Sequence, residues 1–216
     1  MLRTRPTLAV LEDRVVLATL VVSQAPGATG DYSTIQAAVD AAEPDDSIEV
    51  LPGTYQEEVF IDTSGIDLYS AEPNQAIIEA PSSSDPAVYI STALNVTVQG
   101  FTITGPAAYG VWVANSPASA NVLDNQISGA GYGIRMEYAG GDVSGNQVSG
   151  YQSAGISILG TGVDSTVSDN TVTGLGEASG DVAAAGHLER IELRRAVGCL
   201  SGQASAAPET EYEVTL

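Results

Sequence analysis

Four segments of the chain, each closing on glycine, superimpose without gaps: Val98–Gly105, Val122–Gly129, Val143–Gly150 and Val167–Gly174. Three carry Asn at the same place (Asn125, Asn146, Asn170), where the first has Phe101. The closing glycines stand 24, 21 and 24 residues apart. A second marker repeats in step, in Tyr109-Gly110-Val111-Trp112-Val113, Tyr132-Gly133-Ile134-Arg135-Met136 and Ala154-Gly155-Ile156-Ser157-Ile158, with glycines 23 and 22 apart. Two independent markers sharing one period mean that a single structural unit is copied along the chain. A period in the low twenties, rich in β-branched residues, fits stacked β-coils or leucine-rich repeats, and the fixed leucine lattice of the latter is absent.

Stacking sets equivalent residues about 4.8 Å apart along one axis. Val111, Ile134 and Ile156 then form one inward column, and Val113, Met136 and Ile158 a second. Asn125, Asn146 and Asn170 form a ladder whose amides can bond from coil to coil, with Phe101 at its head, and the glycines permit tight corners. Trp112, Arg135 and Ser157 alternate with the inward residues and face out.

The flanks agree with this scheme. Ile35, Ala38, Val39 and Ala42 have helical spacing, with Ser33 or Thr34 to cap the first turn and Pro44 to stop it. Short strand-like runs follow at Ser47–Leu51, Glu58–Ile61, Gly65–Ser70, Ala76–Ala80 and Ala87–Ser91, too closely spaced for intervening helices. After Val182 the repeat fades. Leu188, Ile191, Val197 and Leu200 suit either a helix closing the end of the stack or the tail of a chain that has lost its remaining coils.

The order helix, Ser47-Ile48-Glu49-Val50, Pro52-Gly53-Thr54-Tyr55, Glu57-Glu58-Val59 resembles the opening of pectin lyase-like and pectinesterase-like right-handed β-helices. The Asn-bearing coils resemble the repeats of carbohydrate-binding and sugar-hydrolase proteins and of accessory proteins of nitrous-oxide reductase. Together these cover roughly residues 30 to 182. The resemblance implies an all-β fold: a right-handed single-stranded parallel β-helix with a short N-terminal capping helix and a C-terminal helix as one option for its other end. Leu11-Glu12-Asp13-Arg14-Val15-Val16-Leu17 resembles the LEPR-type motif heading many bacterial surface proteins, which implies an extracellular or cell-surface location. The expected division is residues 1–22 as an export-type segment, 23–182 as the β-helix and 183–216 as a tail; residues 17 to 22 also suit a first strand.

Charge narrows the partners. Seven basic against 27 acidic residues give a net charge of −20, which repels phosphate backbones and excludes nucleic acid. It also repels anionic polysaccharides unless divalent cations bridge the surfaces, so calcium is the one cofactor left open. No apolar run is long enough to span a membrane. One Cys rules out an internal disulfide, and one His, one Cys and two Met do not furnish a copper or zinc site. The residue sets that mark pectinesterases and polygalacturonases have no counterpart here, and Arg135 is the only base in the coils.

The outward row offers one candidate carbohydrate site. Trp112 can stack on a sugar ring, Arg135 can pair with a uronate carboxylate, Glu137 can bind calcium or act as a base, and Tyr138 adjoins them. Asp124 and Asp169, each before a ladder Asn, are read as products of repetition; Asp45, Asp46, Glu57 and Glu58 as turn and surface residues. The expected function is a secreted or surface module that binds polysaccharide without a complete catalytic set. The alternatives are a calcium-dependent polysaccharide lyase, or another pectin-active or glycoside-hydrolysing fragment, and a structural spacer.

Overall fold

The computed structural model describes residues 17–24, 30–160, 165–173, 180–186 and 190–197, the last two spans by their backbone path alone. Strand β1 (Thr19–Val22) precedes helix α1 (Ile35–Ala41). Short strands then wind the first coils: β2 (Ser47–Val50), β3 (Gly53–Tyr55), β4 (Val59–Ile61), β5 (Asp67–Ser70), β6 (Ala76–Glu79), β7 (Pro86–Ser91), β8 (Val96–Gln99) and β9 (Thr102–Thr104). Beyond them run β10 (Tyr109–Leu123), β11 (Gln126–Ser128), β12 (Tyr132–Ser144), β13 (Gln147–Ser149), β14 (Ala154–Gly160), β15 (Ser165–Thr173), β16 (Gly180–Gly186) and β17 (Arg190–Val197).

Every pairing between these strands is parallel, and each joins a strand to its equivalent one coil away. The result is a right-handed parallel β-helix with three faces. The first face carries β1, β2, β5, β8, the second half of β10, and so on. The second carries β3, β6, β9, β11 and β13. The third carries β4, β7, the first half of β10, then β12 and β14. The expected inward columns are in register: Val111 on Ile134 on Ile156, and Val113 on Met136 on Ile158, all buried.

The Asn ladder is closed on itself. Asn125 Nδ2 donates to Asn146 Oδ1 at 3.1 Å, and Asn146 Nδ2 to Asn170 Oδ1 at 2.9 Å. The same oxygens accept backbone N–H groups of the preceding coil, Asn125 at 3.0 Å and Asn146 at 2.9 Å. At the head of the row, Phe101 N–H donates to Asn125 Oδ1. The residue before each rung is left-handed: Gly100, Asp124, Gly145 and Asp169 have φ of 74, 54, 69 and 55°. Asp and Gly tolerate that conformation, which accounts for both aspartates as corner residues. The two glycine series differ in purpose. Gly105, Gly129 and Gly150 sit at left-handed corners, whereas a Cβ on Gly110 or Gly133 would lie 2.5 Å from a carbonyl oxygen of the next coil. The second series is required by close approach rather than by turning.

Helix α1 covers the starting end. Thr34 caps it by accepting from Ala37 N–H, and the Glu57 carboxylate accepts from Ile35 and Gln36 N–H, a favourable place for negative charge. Gln36 then pairs with β4 as a strand would: its Oε1 accepts from Phe60 N–H and its Nε2 donates to Phe60 C=O. That blunts the open edge of the third face. Asp46, expected on the surface, is 5% exposed and holds Ala18 and Glu43 N–H groups, tying β1 to the stack. Glu57 is likewise committed to the cap.

Two expectations at the ends change. Strand β1 lies N-terminal of the expected boundary at residue 23 and is paired residue for residue with β2, as the reading of 17–22 as a first strand implies. The C-terminal helix is replaced by strands. Val182 is in register with Ile156 in β16, and Ile191 with Val167 in β17. An open strand edge offers a ladder of backbone partners that a helix laid across it leaves unused. The LEPR-type segment before residue 17, and residues beyond 197, lie outside the described residues.

Asn146→Ala should destabilise the fold by about 3 kcal/mol, because it strands the Asn125 N–H and the Val122 C=O in the interior. Urea unfolding measures this, with exposed Gln147→Ala as a control expected to fall within about 0.5 kcal/mol of the parent. Burial raises the Asp67 carboxyl above its ordinary value. A raised carboxyl binds its proton more tightly folded than unfolded, so its ionisation opposes folding once pH exceeds that window. Asp67→Asn should therefore melt higher than the parent at neutral pH. The advantage should shrink as pH falls through the carboxylate range; melting curves across that range check it.

Candidate carbohydrate-binding face

The third face is the one the repeat makes aromatic. Its outward row runs Phe60, Tyr89, Trp112, Arg135, each in register with the next, and continues in register to Ser157, which was expected to face out and is instead buried. Tyr109 and Tyr132 are in register with each other near the start of the same strands. Register sets Phe60 on Tyr89 on Trp112, and Tyr109 on Tyr132, at strand spacing, and Tyr109 meets Trp112 within β10, so the two rows join into one column. Phe60 and Tyr89 have centroids 5.4 Å apart, tilted by 45°; Tyr89 and Trp112 are stacked at 4.7 Å; Trp112 and Tyr109 at 4.8 Å; Tyr109 and Tyr132 at 5.4 Å. The Arg135 guanidinium ends the column, 4.9 Å from the Tyr132 ring and 5.9 Å from that of Tyr109. Such contacts each contribute on the order of 1 kcal/mol beyond area burial.

Of the four residues singled out in the sequence, Trp112, Arg135 and Glu137 are brought together on this face. Trp112 lies inside the column with a stacked tyrosine on either side in the sequence of rings, so its π-surface is largely covered by protein rings. Its Nε1 is buried without a hydrogen-bond partner. Arg135 is already engaged: its Nε meets Glu137 Oε2 at 3.3 Å, with side chains 15% and 31% exposed. It is the only cation among the described side chains.

Tyr138 stands at the rim rather than in the row. It shares a corner column with Thr92, Asn115 and Gly160, all left-handed, and its own φ is 52°. A bulky side chain is an outlier there, at a cost of about 1–2 kcal/mol. The residue is 58% exposed, more than any other aromatic among the described residues, with Phe60 next at 42%. Beside it, β10 shifts register between Ala114 and Ala118, so that residues 115–117 bulge past the single Tyr138 of the next coil. Asn115 on that bulge donates to Tyr89 Oη at 2.7 Å and Ser91 Oγ at 2.9 Å, fixing the phenol against the wall.

The sequence reading missed Phe60, Tyr89, Tyr109 and Tyr132. Tyr89 precedes Trp112 by the same 23 residues that separate Trp112 from Arg135, so the period alone could have found it. Phe60 lies 29 residues before Tyr89, because the serine-rich loop around Ser82–Asp85 lengthens that coil. Period arithmetic therefore steps past it. No group of three or more His, Cys, Asp or Glu side chains among the described residues is placed to hold a metal.

Comparison with known proteins places this geometry. No curated protein sequence matches the chain. Among solved structures, the deglycosylated pectin methylesterase from Aspergillus niger superimposes with a TM-score of 0.54 at 15% identity, over 91% of this chain and 85% of that one. Pectin methylesterase from carrot gives 0.47 at 13% identity, over 95% and 90%. At such identity the first likeness speaks to the fold, and it agrees with the three-faced helix described above. A family profile described as "Periplasmic copper-binding protein (NosD)" matches residues 50–184, well over half of the chain. The chain belongs to the NosD family of parallel β-helix proteins.

Proposed function

We propose that the chain is an extracytoplasmic β-helix module, periplasmic or extracellular, that binds polysaccharide along its third face. The aromatic column carries this reading: five rings and a guanidinium aligned on a sheet surface, bordered by a protruding bulge. Trp112, Arg135, Glu137 and Tyr138 remain its centre, with Phe60, Tyr89 and Tyr132 extending it along the axis. The fold shared with pectin methylesterases and the periplasmic family description are consistent with it. Tyr138 adds a physical argument, since a large exposed ring held in a left-handed corner costs stability that a structural role does not return.

Copper, which the family description names, does not fit the residues present. Such sites draw on imidazole, thiolate and thioether donors. Met136 is fully buried in the inward column, and no His or Cys stands among the described residues. The remaining soft or imidazole donors in the whole chain are Met1, His187 and Cys199. No step of the proposed function passes through the metal.

Replacing Tyr138 by Asn separates structure from binding. Asn suits the left-handed corner, so the variant should gain about 1 kcal/mol in urea unfolding. Its retention on an immobilised polysaccharide array should fall at least several-fold. Trp112→Ala should abolish retention. A more stable Tyr138→Asn variant with undiminished retention would remove the rim from the site. An unsaturated, ultraviolet-absorbing product from a uronate polymer would replace binding by lyase chemistry.

A further inference from the structure

We infer that the glycan taken by this face is uncharged, and that it lies parallel to the helix axis along the aromatic column. The inference rests on the polysaccharide reading and narrows it to a ligand class.

The charge argument comes from Arg135. A uronate-binding surface needs a cation free to meet a carboxylate. Here the only cation among the described side chains is 15% exposed, in contact with Glu137 Oε2 at 3.3 Å, and laid against the Tyr132 ring. The pair is neutral as a unit, and its protein carboxylate already occupies the place an anionic sugar would compete for. The surrounding field has the wrong sign as well, with a net charge of −20. Calcium would reverse that sign locally, but no three-carboxylate cluster among the described residues is placed to hold it. An acidic sugar brought to this face therefore meets repulsion without a compensating contact.

The direction follows from the rings. Three of the four ring steps, from 4.7 to 5.4 Å, run along the helix axis from coil to coil, and the fourth, Tyr109 to Trp112, lies within β10 and joins the two rows sideways. A sugar unit advances by about the same distance as a strand spacing, roughly 5 Å, so an axial chain meets one ring step per unit. Because the rings face one another, such a chain meets ring edges and phenol hydroxyls rather than open π-faces. That suits the hydroxyl-covered edge of a neutral sugar. The exposed rings at Phe60 and Tyr138 supply the apolar contacts.

The test uses the full chain on an array where each neutral polysaccharide is printed beside its C6-oxidised derivative, so that only the carboxylate differs. The expected result is retention on at least one neutral polymer, insensitive to added sodium chloride, with the oxidised partner at least about tenfold weaker. Glu137→Gln frees the Arg135 charge and should narrow that gap by strengthening retention on the oxidised member. On oligosaccharides of increasing length, affinity should rise until the chain spans from Phe60 to Tyr132, and Phe60→Ala should weaken only the longer ones. Equal or stronger retention on the oxidised polymer overturns the neutral class while leaving polysaccharide binding in place. Affinity independent of length overturns the axial direction. Retention on neither member of any pair removes both this inference and the reading beneath it. An unchanged gap in Glu137→Gln removes Glu137 as the neutralising partner.

Discussion

Each coil of this protein obtains its backbone hydrogen-bond partners from the coils on either side, and almost everything else follows from that dependence. A strand of three residues such as β11 or β13 has no stability alone. It persists because Gln126, Ile127 and Ser128 sit in register with Gln147, Val148 and Ser149. A slip of one residue would turn the inward column outward, so register is held both by burial and by the Asn ladder. The ladder matters because it reads register directly: Asn146 bonds to Asn125 and Asn170 only when all three are level. On the third face, where no strand precedes β4 among the described residues, α1 and the strand-like pairing of Gln36 with Phe60 take the neighbour's place.

Register also manufactures the candidate site. A repeat that places an aromatic residue at one outward position stacks those rings at strand spacing whether or not anything binds them. The column from Tyr89 to Tyr132 is thus partly a by-product of the fold, and its stacking contributes to coil cohesion. The departures from repetition carry more functional weight. The bulge at 115–117 interrupts the pairing of β10 with β12. Tyr138 occupies a corner that Asn115 and Gly160 fill with less strain. Arg135 replaces a ring by a cation, and Glu137 then neutralises it. Neither is needed to build a coil, since Ser157 and Leu159 hold the same places one coil later.

The division between what was legible in the sequence and what was not has the same origin. Columns such as Val111, Ile134 and Ile156 were readable because inward positions obey the period strictly, as was the N-cap at Thr34. Outward positions obey it only where loop lengths are equal, which is why Tyr89 was accessible to arithmetic and Phe60 was not. Arg135 was placed in the correct row but assigned a free charge, because side-chain pairing within a strand depends on rotamers that spacing does not fix. The helix offered as one option for the end of the stack gives way to strands for a different reason. Residues 182 to 197 have helix-compatible composition, and local propensity is a weak guide where an open sheet edge is available to template the backbone.

Membership of the NosD family and likeness to a pectin methylesterase describe one coil architecture, and that architecture does not set the chemistry, which lies with the residues on its faces. The family description names copper, and among the described side chains the one soft donor, Met136, projects inward, where it fills the space between Val113 and Ile158. On the aromatic face the one cation among the described side chains, Arg135, is paired with Glu137 within its own strand. Among the described residues the third face is thus an aromatic strip whose one ion pair is closed on itself, in a chain of net charge −20. On the reading proposed above, the net negative charge works against anionic polymers, and specificity on that strip then needs only contacts that a neutral chain can make.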